Sequence, residues 1–418
     1  MKHCSHYLLI ILILSNLQNT QVNGLIITTI NIGLKWLGHL LSPPRIFPQD
    51  RDESALPDAI IRHNGYPAEV HQVETPDGHI LPIYRIPHGK NRTSTKEPVL
   101  LMPGIITSAT FYFSLSPEKA LPFVLSNAGY DVWIGNYRGC DATGHKYYSK
   151  KELKYWHFGV DEIVRYDFPS IVDYILKTTN NSAISYVGHS LGTTMFFMAL
   201  ASQPGYNQKF RKMAGMAPGC YASHGKSMLQ YMPLINLRQF VTIMDILFFG
   251  ETPASRMREP LSTSMAFCRL IGIPKTCFGT LLKGFDISRI NMTVIQRVLK
   301  HLPAPISARS LAQLGQMIGS DRCQMYDFGR EGNMRRYGTT SPRLYYLKNI
   351  TVPCMGMYGL RDDVIPPVDA KRTIQELGNR KSFTYQVKRK DFTHSDFMVD
   401  DEAKILVYDK IVEYFDSV

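Results

Sequence analysis

The sequence predicts an α/β fold, a mostly parallel central sheet with helices on both faces and a mostly helical cap insertion. Three observations carry this. Short apolar runs bounded by Gly, Pro and Asn alternate with stretches of helical periodicity. One such run enters a Gly-x-Ser-x-Gly turn at Gly188-His189-Ser190-Leu191-Gly192 and is followed by a strongly apolar segment of helical length. From Tyr221 to about Thr340 the strand pattern disappears; Met, Phe and Leu are plentiful there, with Gly, Pro and Arg every few residues. Strand signals return after it, so an insertion divides one α/β core.

The elements are expected in this order. Strands at 69–75 and 79–85 flank the turn Pro76-Asp77-Gly78. Further strands are expected at 98–102 and 130–134, the first ended by Pro103-Gly104. Ile163, Tyr166, Ile171, Tyr174 and Ile175 recur at helical intervals, so 158–178 is expected to be one helix despite Pro169. A strand at 184–188, a buried helix at 191–201 and a strand at 212–216 complete the first part. After the insertion come a strand at 352–359, a helix at 369–377, a strand at 383–387 and a terminal helix at 401–414. The expected organisation is a signal peptide at 1–24, an N-terminal extension at 25–68, core at 69–220, cap at 221–340 and core again at 341–418.

With 418 residues, 44% of them hydrophobic and 20% charged, the chain is neither a disordered polyelectrolyte nor a fibrous protein. Its 47 basic and 35 acidic residues leave a net charge of +12. No dense basic run with interleaved aromatics is present, so the excess points to a lipid surface rather than nucleic acid. The basic start, the apolar run at 7–14 and a small-residue site near Gly24 have the form of a secretory signal, and the run is too short to span a bilayer. No transmembrane span is expected in the mature chain. Asn91, Asn180, Asn291 and Asn349 begin Asn-x-Ser/Thr sequons, which suit a glycosylating route. Seven cysteines are too few for a disulfide scaffold; Cys268 and Cys277 close a short loop and are the best bridge candidates.

A serine hydroxyl needs a base, and the base needs an orienting acid. In this fold the acid and then the histidine follow the serine along the chain. Asp362, in a loop after the 352–359 strand, is the candidate acid; Asp363 is its neighbouring rival. His394, after the 383–387 strand, is the candidate base, with Asp396 as local support for its loop. The expected oxyanion donors are the backbone N–H groups of Leu191 and Ile105. His189 is expected to pack or hydrogen-bond beneath the turn. No Cys/His cluster has structural-zinc spacing, and the chemistry needs neither metal nor cofactor.

With these residues in view, the sequence resembles the acid lipase family of α/β-hydrolases, which includes gastric, lingual and lysosomal lipases. The resemblance runs from about Glu69 to the C-terminus. It rests on 100–109, on 131–139, on Tyr155-Trp156-His157-Phe158, on Gly188-His189-Ser190-Leu191-Gly192 and on His394-Ser395-Asp396-Phe397. It implies Ser190, Asp362 and His394 as the triad, Ile105 and Leu191 as oxyanion donors, and Cys268 with Cys277 as the cap disulfide. The chain departs from the family's usual His-Gly-Leu at Pro103-Gly104-Ile105, from the usual Gln at Leu191, and from Asn-Ser-Arg-Gly at Asn136-Tyr137-Arg138-Gly139. Cys140 is unexpected.

The implied function is a secreted or lysosomal lipase acting on triacylglycerol or sterol esters at a lipid droplet or micelle surface. A carboxylesterase or thioesterase for smaller acyl substrates is the alternative enzyme. A non-catalytic lipid-binding protein on the same fold is the alternative outside catalysis. Met228, Leu229, Phe248, Phe249, Phe267 and Leu270 are candidates to line an acyl tunnel, or are ordinary cap core.

Overall fold

In a computed structural model, residues 56–90, 96–257 and 291–417 are described. The signal-peptide and most of the extension, Asn91, Cys268, Cys277, Phe267 and Leu270 therefore lie outside the described residues.

A nine-stranded sheet organises the described chain. β1 (Glu69–Glu74) and β2 (His79–Ile86) form an antiparallel hairpin, closed by the Thr75 N–H donating to His79 O at 2.8 Å. β2 pairs antiparallel with β4 (Asp131–Ile134). From there β3 (Pro98–Met102), β6 (Ile184–His189), β7 (Phe210–Met216), β8 (Cys354–Tyr358) and β9 (Phe383–Gln386) all run parallel, in the order β4-β3-β6-β7-β8-β9. β5 (Gly144–His145) is a two-residue addition to β2.

The core strands are continuous apolar runs because helices cover both faces. In β3, Val99 and Leu101 join one apolar cluster while Leu100 and Met102 join the other. α1 (Pro57–His63) and α2 (Leu121–Asn127) supply Ile61, Leu121, Phe123 and Leu125 to the first cluster. α3 (Phe168–Thr179) and α4 (Leu191–Ser202) supply Ile171, Ile175, Phe196 and Leu200 to the second. α4 is apolar on every side because it is buried on every side.

The helix expected at 158–178 is present as an unbroken helical run from Val160 to Thr179, with a π-bulge at Ile163–Asp167 just before α3, which has Pro169 in its first turn. Proline lacks the N–H for a regular i→i−4 bond, and the wide turn before it absorbs the defect. The terminal helix likewise begins with a π-bulge at Lys404–Tyr408 and continues without a break as a regular helix at Asp409–Asp416. Sequence reasoning also passed over α1, α2 and β5.

Among the described residues, helices alone lie between β7 and β8 apart from isolated bridges: α5 (Leu237–Phe248), α6 (Met292–Leu299), α7 (Ala308–Ser320) and α8 (Gly329–Tyr337), with short 3₁₀ turns. This cap is stitched to the core by polar contacts. Arg297 donates to Ser114 O and Leu115 O, and Ser307 Oγ donates to Phe158 O at 2.6 Å. Asp161, ahead of α3, accepts from the Tyr326 N–H at 2.9 Å, the Tyr345 hydroxyl at 2.7 Å and Gln313 Nε2 at 2.5 Å.

Burial pushes the Asp161 carboxyl up to about 6 from its usual 3.8, against the lowering effect of those donors. A raised carboxyl pKa adds stability that is complete below 3.8 and is lost as pH rises through about 6. Burial instead pushes His79 and His189 down to about 3, so both oppose folding as pH falls below 6.5. Comparing wild type with Asp161→Asn at each pH separates these effects, because both histidines are common to the two proteins. The melting temperature of wild type minus that of the variant is expected to grow on going from pH 7 to pH 5. A pH-independent difference would show that Asp161 does not titrate in this window.

Candidate active site

Ser190 stands where β6 becomes α4, with φ 52° and ψ −117°. A side chain bearing Cβ rarely adopts positive φ, so the surrounding chain must hold the strained turn. The Ser190 N–H donates to Met216 O at 2.9 Å, and its carbonyl accepts from the Thr193 N–H and Thr193 Oγ1. The turn also needs close approach: a Cβ on Gly192 would lie 2.2 Å from Met102 O. Only 6% of Ser190 is exposed, at the N-terminus of α4, where free N–H groups and the helix dipole favour negative charge.

The loops after β8 and β9 bring Asp362 and His394 together. The carboxylate of Asp362, 2% exposed, accepts from His394 Nδ1 at 2.9 and 3.1 Å through its two oxygens. The N–H groups of Val364 and Ile365 donate to Asp362 Oδ1 at 2.9 and 2.8 Å, fixing the carboxylate from behind. With Nδ1 protonated toward Asp362, His394 Nε2 is left as the acceptor. Asp363 is exposed, and its carbonyl accepts from the N–H groups of Lys226 and Ser227.

His189 links the Ser190 turn to the His394 loop. Its Nε2 lies 3.1 Å from the carbonyl oxygen of His394, and the two rings are 5.0 Å apart. A carbonyl can only accept, so His189 carries its proton on Nε2. Burial, with His394 nearby, pushes its pKa down to about 3 and keeps the ring neutral. Asp396 accepts from the Thr393 N–H at 2.7 Å and from Arg389 at 3.0 Å; Arg389 also reaches Asp400 and Glu402, so one guanidinium braces the His394 loop.

The 103–107 loop runs beside Ser190: a Cβ on Gly104 would lie 3.2 Å from Ser190 Cβ. Neither the Ile105 N–H nor the Leu191 N–H donates a hydrogen bond among the described residues, which leaves both available to an oxyanion. Cys140 is a fully buried free thiol whose Sγ lies 3.4 Å from Thr107 O, and burial pushes it up to about 12. Among the described residues no group of three or more His, Cys, Asp or Glu could hold a metal ion. No helix of the described residues is long and apolar enough to cross a membrane.

Residues 58–116 match a family described as a partial alpha/beta-hydrolase lipase region, and residues 97–268 match the alpha/beta hydrolase fold. Over 361 residues the chain is 33% identical to gastric triacylglycerol lipase of Bos taurus, spanning 84% of this chain and 89% of that protein. The chain belongs to the acid lipase family of α/β-hydrolases. It is also 31% identical to lipase member K of Homo sapiens over 360 residues, 84% of this chain and 88% of that one. With Lipase 1 of Drosophila melanogaster it shares 30% over 384 residues, 89% of this chain and 84% of the other. A soluble variant of monoglyceride lipase from Saccharomyces cerevisiae superposes with a TM-score of 0.53 at 15% identity, over 84% of this chain and 95% of that structure, and shares the fold. As an acid lipase family member the chain is a serine hydrolase of the lipase and esterase branch.

Reasoning from sequence expected His189 to pack or hydrogen-bond beneath the turn but not its partner, the His394 carbonyl, and missed the bracing by Arg389 and the hydroxyls of Thr107 and Tyr137 that surround Gly104 O. The departure from the family's pattern at Tyr137 was the one available signal for the last.

Asp362→Asn keeps the side chain's shape but can donate to His394 Nδ1, turning the imidazole to the wrong tautomer. A fall in kcat of about 10⁴-fold is expected, with the melting temperature nearly kept. Steady-state kinetics and thermal unfolding on one preparation check both, and a loss below tenfold would exclude Asp362 as the orienting acid.

Proposed function

We propose that this chain hydrolyses carboxylic esters of neutral lipids, triacylglycerol or sterol esters, through an acyl-enzyme on Ser190. His394 Nε2 removes the Ser190 proton as Oγ attacks the ester carbonyl. Asp362 holds the imidazole by Nδ1 and balances the imidazolium. The N–H groups of Ile105 and Leu191 receive the negative oxygen. His394 returns its proton to the leaving alcohol, then takes one from the water that cleaves the acyl-enzyme.

The observation that carries the lipid reading is an apolar rim beside the acid loop. The Lys226 and Ser227 N–H groups bond the carbonyl of Asp363, next to Asp362, and the 3₁₀ turn Met228–Leu234 follows directly. Met228 is 76% and Leu234 78% exposed, with Tyr231, Ile235 and Phe249 also open to solvent. Apolar surface of this kind suits a lipid aggregate better than a small soluble ester. Phe248, by contrast, is buried in the cap.

Secretory or lysosomal delivery belongs to the same proposal, with the leader at 1–24 and a Cys268–Cys277 bridge. Of the described sequons, Asn180 and Asn291 are exposed, whereas Asn349 is half-buried and its Nδ2 donates to Ala201 O at 3.0 Å. Glycans are therefore expected at Asn180 and Asn291. In protein secreted from eukaryotic cells, each Asn→Gln substitution at these two positions should raise mobility on a denaturing gel. Unchanged mobility in both, with no shift on N-glycosidase treatment, would remove the glycoprotein assignment.

Emulsified long-chain triacylglycerol and sterol ester, set against a soluble short-chain ester over a range of pH, test the substrate class. Turnover of an emulsified substrate above its solubility limit is expected, with activity lost in Ser190→Ala. Activity on the soluble ester alone would make the chain a carboxylesterase. Phosphonate labelling and turnover both absent would leave a lipid-binding role.

A further inference from the structure

The Gly104 carbonyl oxygen beside the nucleophile is held by two buried hydroxyls. Thr107 Oγ1 donates to it at 2.8 Å and the Tyr137 hydroxyl at 2.9 Å. Tyr137 is fully buried in the loop after β4. That loop is itself anchored: Asn136 Oδ1 accepts from the Ala109 N–H at 2.8 Å, and buried Arg138 pairs with Asp167 and Asp77.

Gly104 C=O and Ile105 N–H belong to the same peptide plane, and in a trans peptide they point in opposite directions. Whatever fixes the oxygen therefore aims the N–H. The next residue, Ile106, stands at φ 52°, an unfavourable conformation for a β-branched side chain. Its carbonyl accepts from the cap's Ala304 N–H at 2.6 Å. A strained loop keeps one orientation only if several contacts over-determine it. The two hydroxyls supply this at the one peptide whose N–H is needed.

We propose that Tyr137 and Thr107 are a positioning pair, which orients the Ile105 N–H toward the oxyanion by clamping the other end of its peptide. The inference rests on the serine-hydrolase mechanism above and assigns neither residue a contact with substrate. It accounts for a hydroxyl-bearing aromatic at a position where the family's usual pattern has serine.

Tyr137→Phe and Thr107→Val are compared with wild type and Ser190→Ala on a soluble chromogenic ester. Active sites are counted by the burst with an organophosphonate, and kcat is expressed per titrated site. Loosening the donor is expected to lower kcat about 10- to 100-fold while KM stays within about twofold. The phosphonylation rate should fall in parallel, because the phosphonyl oxygen uses the same donors. A purely structural role would reduce the number of titrated sites and the melting temperature, and leave kcat per site alone. Wild-type kcat per site and wild-type phosphonylation rate in Tyr137→Phe would overturn the inference. If that variant does not fold, the same result in Thr107→Val overturns it. Absence of Ser190-dependent phosphonylation in wild type would instead sink the mechanism beneath it.

Discussion

The structure is organised around one reversal of the chain, at Ser190. A strand at the centre of a parallel sheet must become a buried helix within a single residue, and that residue carries a side chain at positive φ. Such a conformation costs of order 1–3 kcal/mol and persists only where the surroundings leave no alternative. Here they leave none. Met216 on the adjacent strand takes the Ser190 N–H, Thr193 takes its carbonyl, and the backbone of Met102 presses on Gly192. The central sheet and its two apolar faces thus hold one hydroxyl at the C-terminal edge of the strands.

Around that point the polar groups act mainly through backbone. Asp362 is held by two N–H groups before it meets His394. His189 holds the His394 carbonyl, and Tyr137 and Thr107 hold the Gly104 carbonyl. These bonds fix the Asp362 carboxylate and two main-chain segments, so the groups around Ser190 are carried on constrained backbone. One buried ion pair supports the same frame: Arg138 meets Asp167 in the interior and reaches Asp77 at the surface, so removing Arg138 would strand the buried Asp167.

The cap is coupled to this frame rather than laid over it. Ala304 bonds Ile106 in the 103–107 loop, Lys226 and Ser227 bond the residue after Asp362, and Asp161 gathers donors from the cap and from Tyr345. The exposed Met228–Leu234 turn follows directly on the Lys226 and Ser227 bonds to the loop that carries Asp362.

The sequence alone determined the α/β architecture, because buried strands and a helix apolar all round leave patterns of composition that need no partner to be read. The turn around Ser190 was legible too, since its glycines have no substitute where backbones touch. The details were less so: the period at 158–178 gave a helix but not the π-bulge before Pro169, and α1 and α2 were too short to leave a period. Chain order already pointed to Asp362 as the carboxylate facing His394, and the structure places it there; tertiary structure alone decided which carbonyls His189, Tyr137 and Thr107 hold. The His189 and Tyr137 bonds join residues distant in the chain to backbone carbonyls, and a backbone acceptor carries no residue identity for a sequence to display.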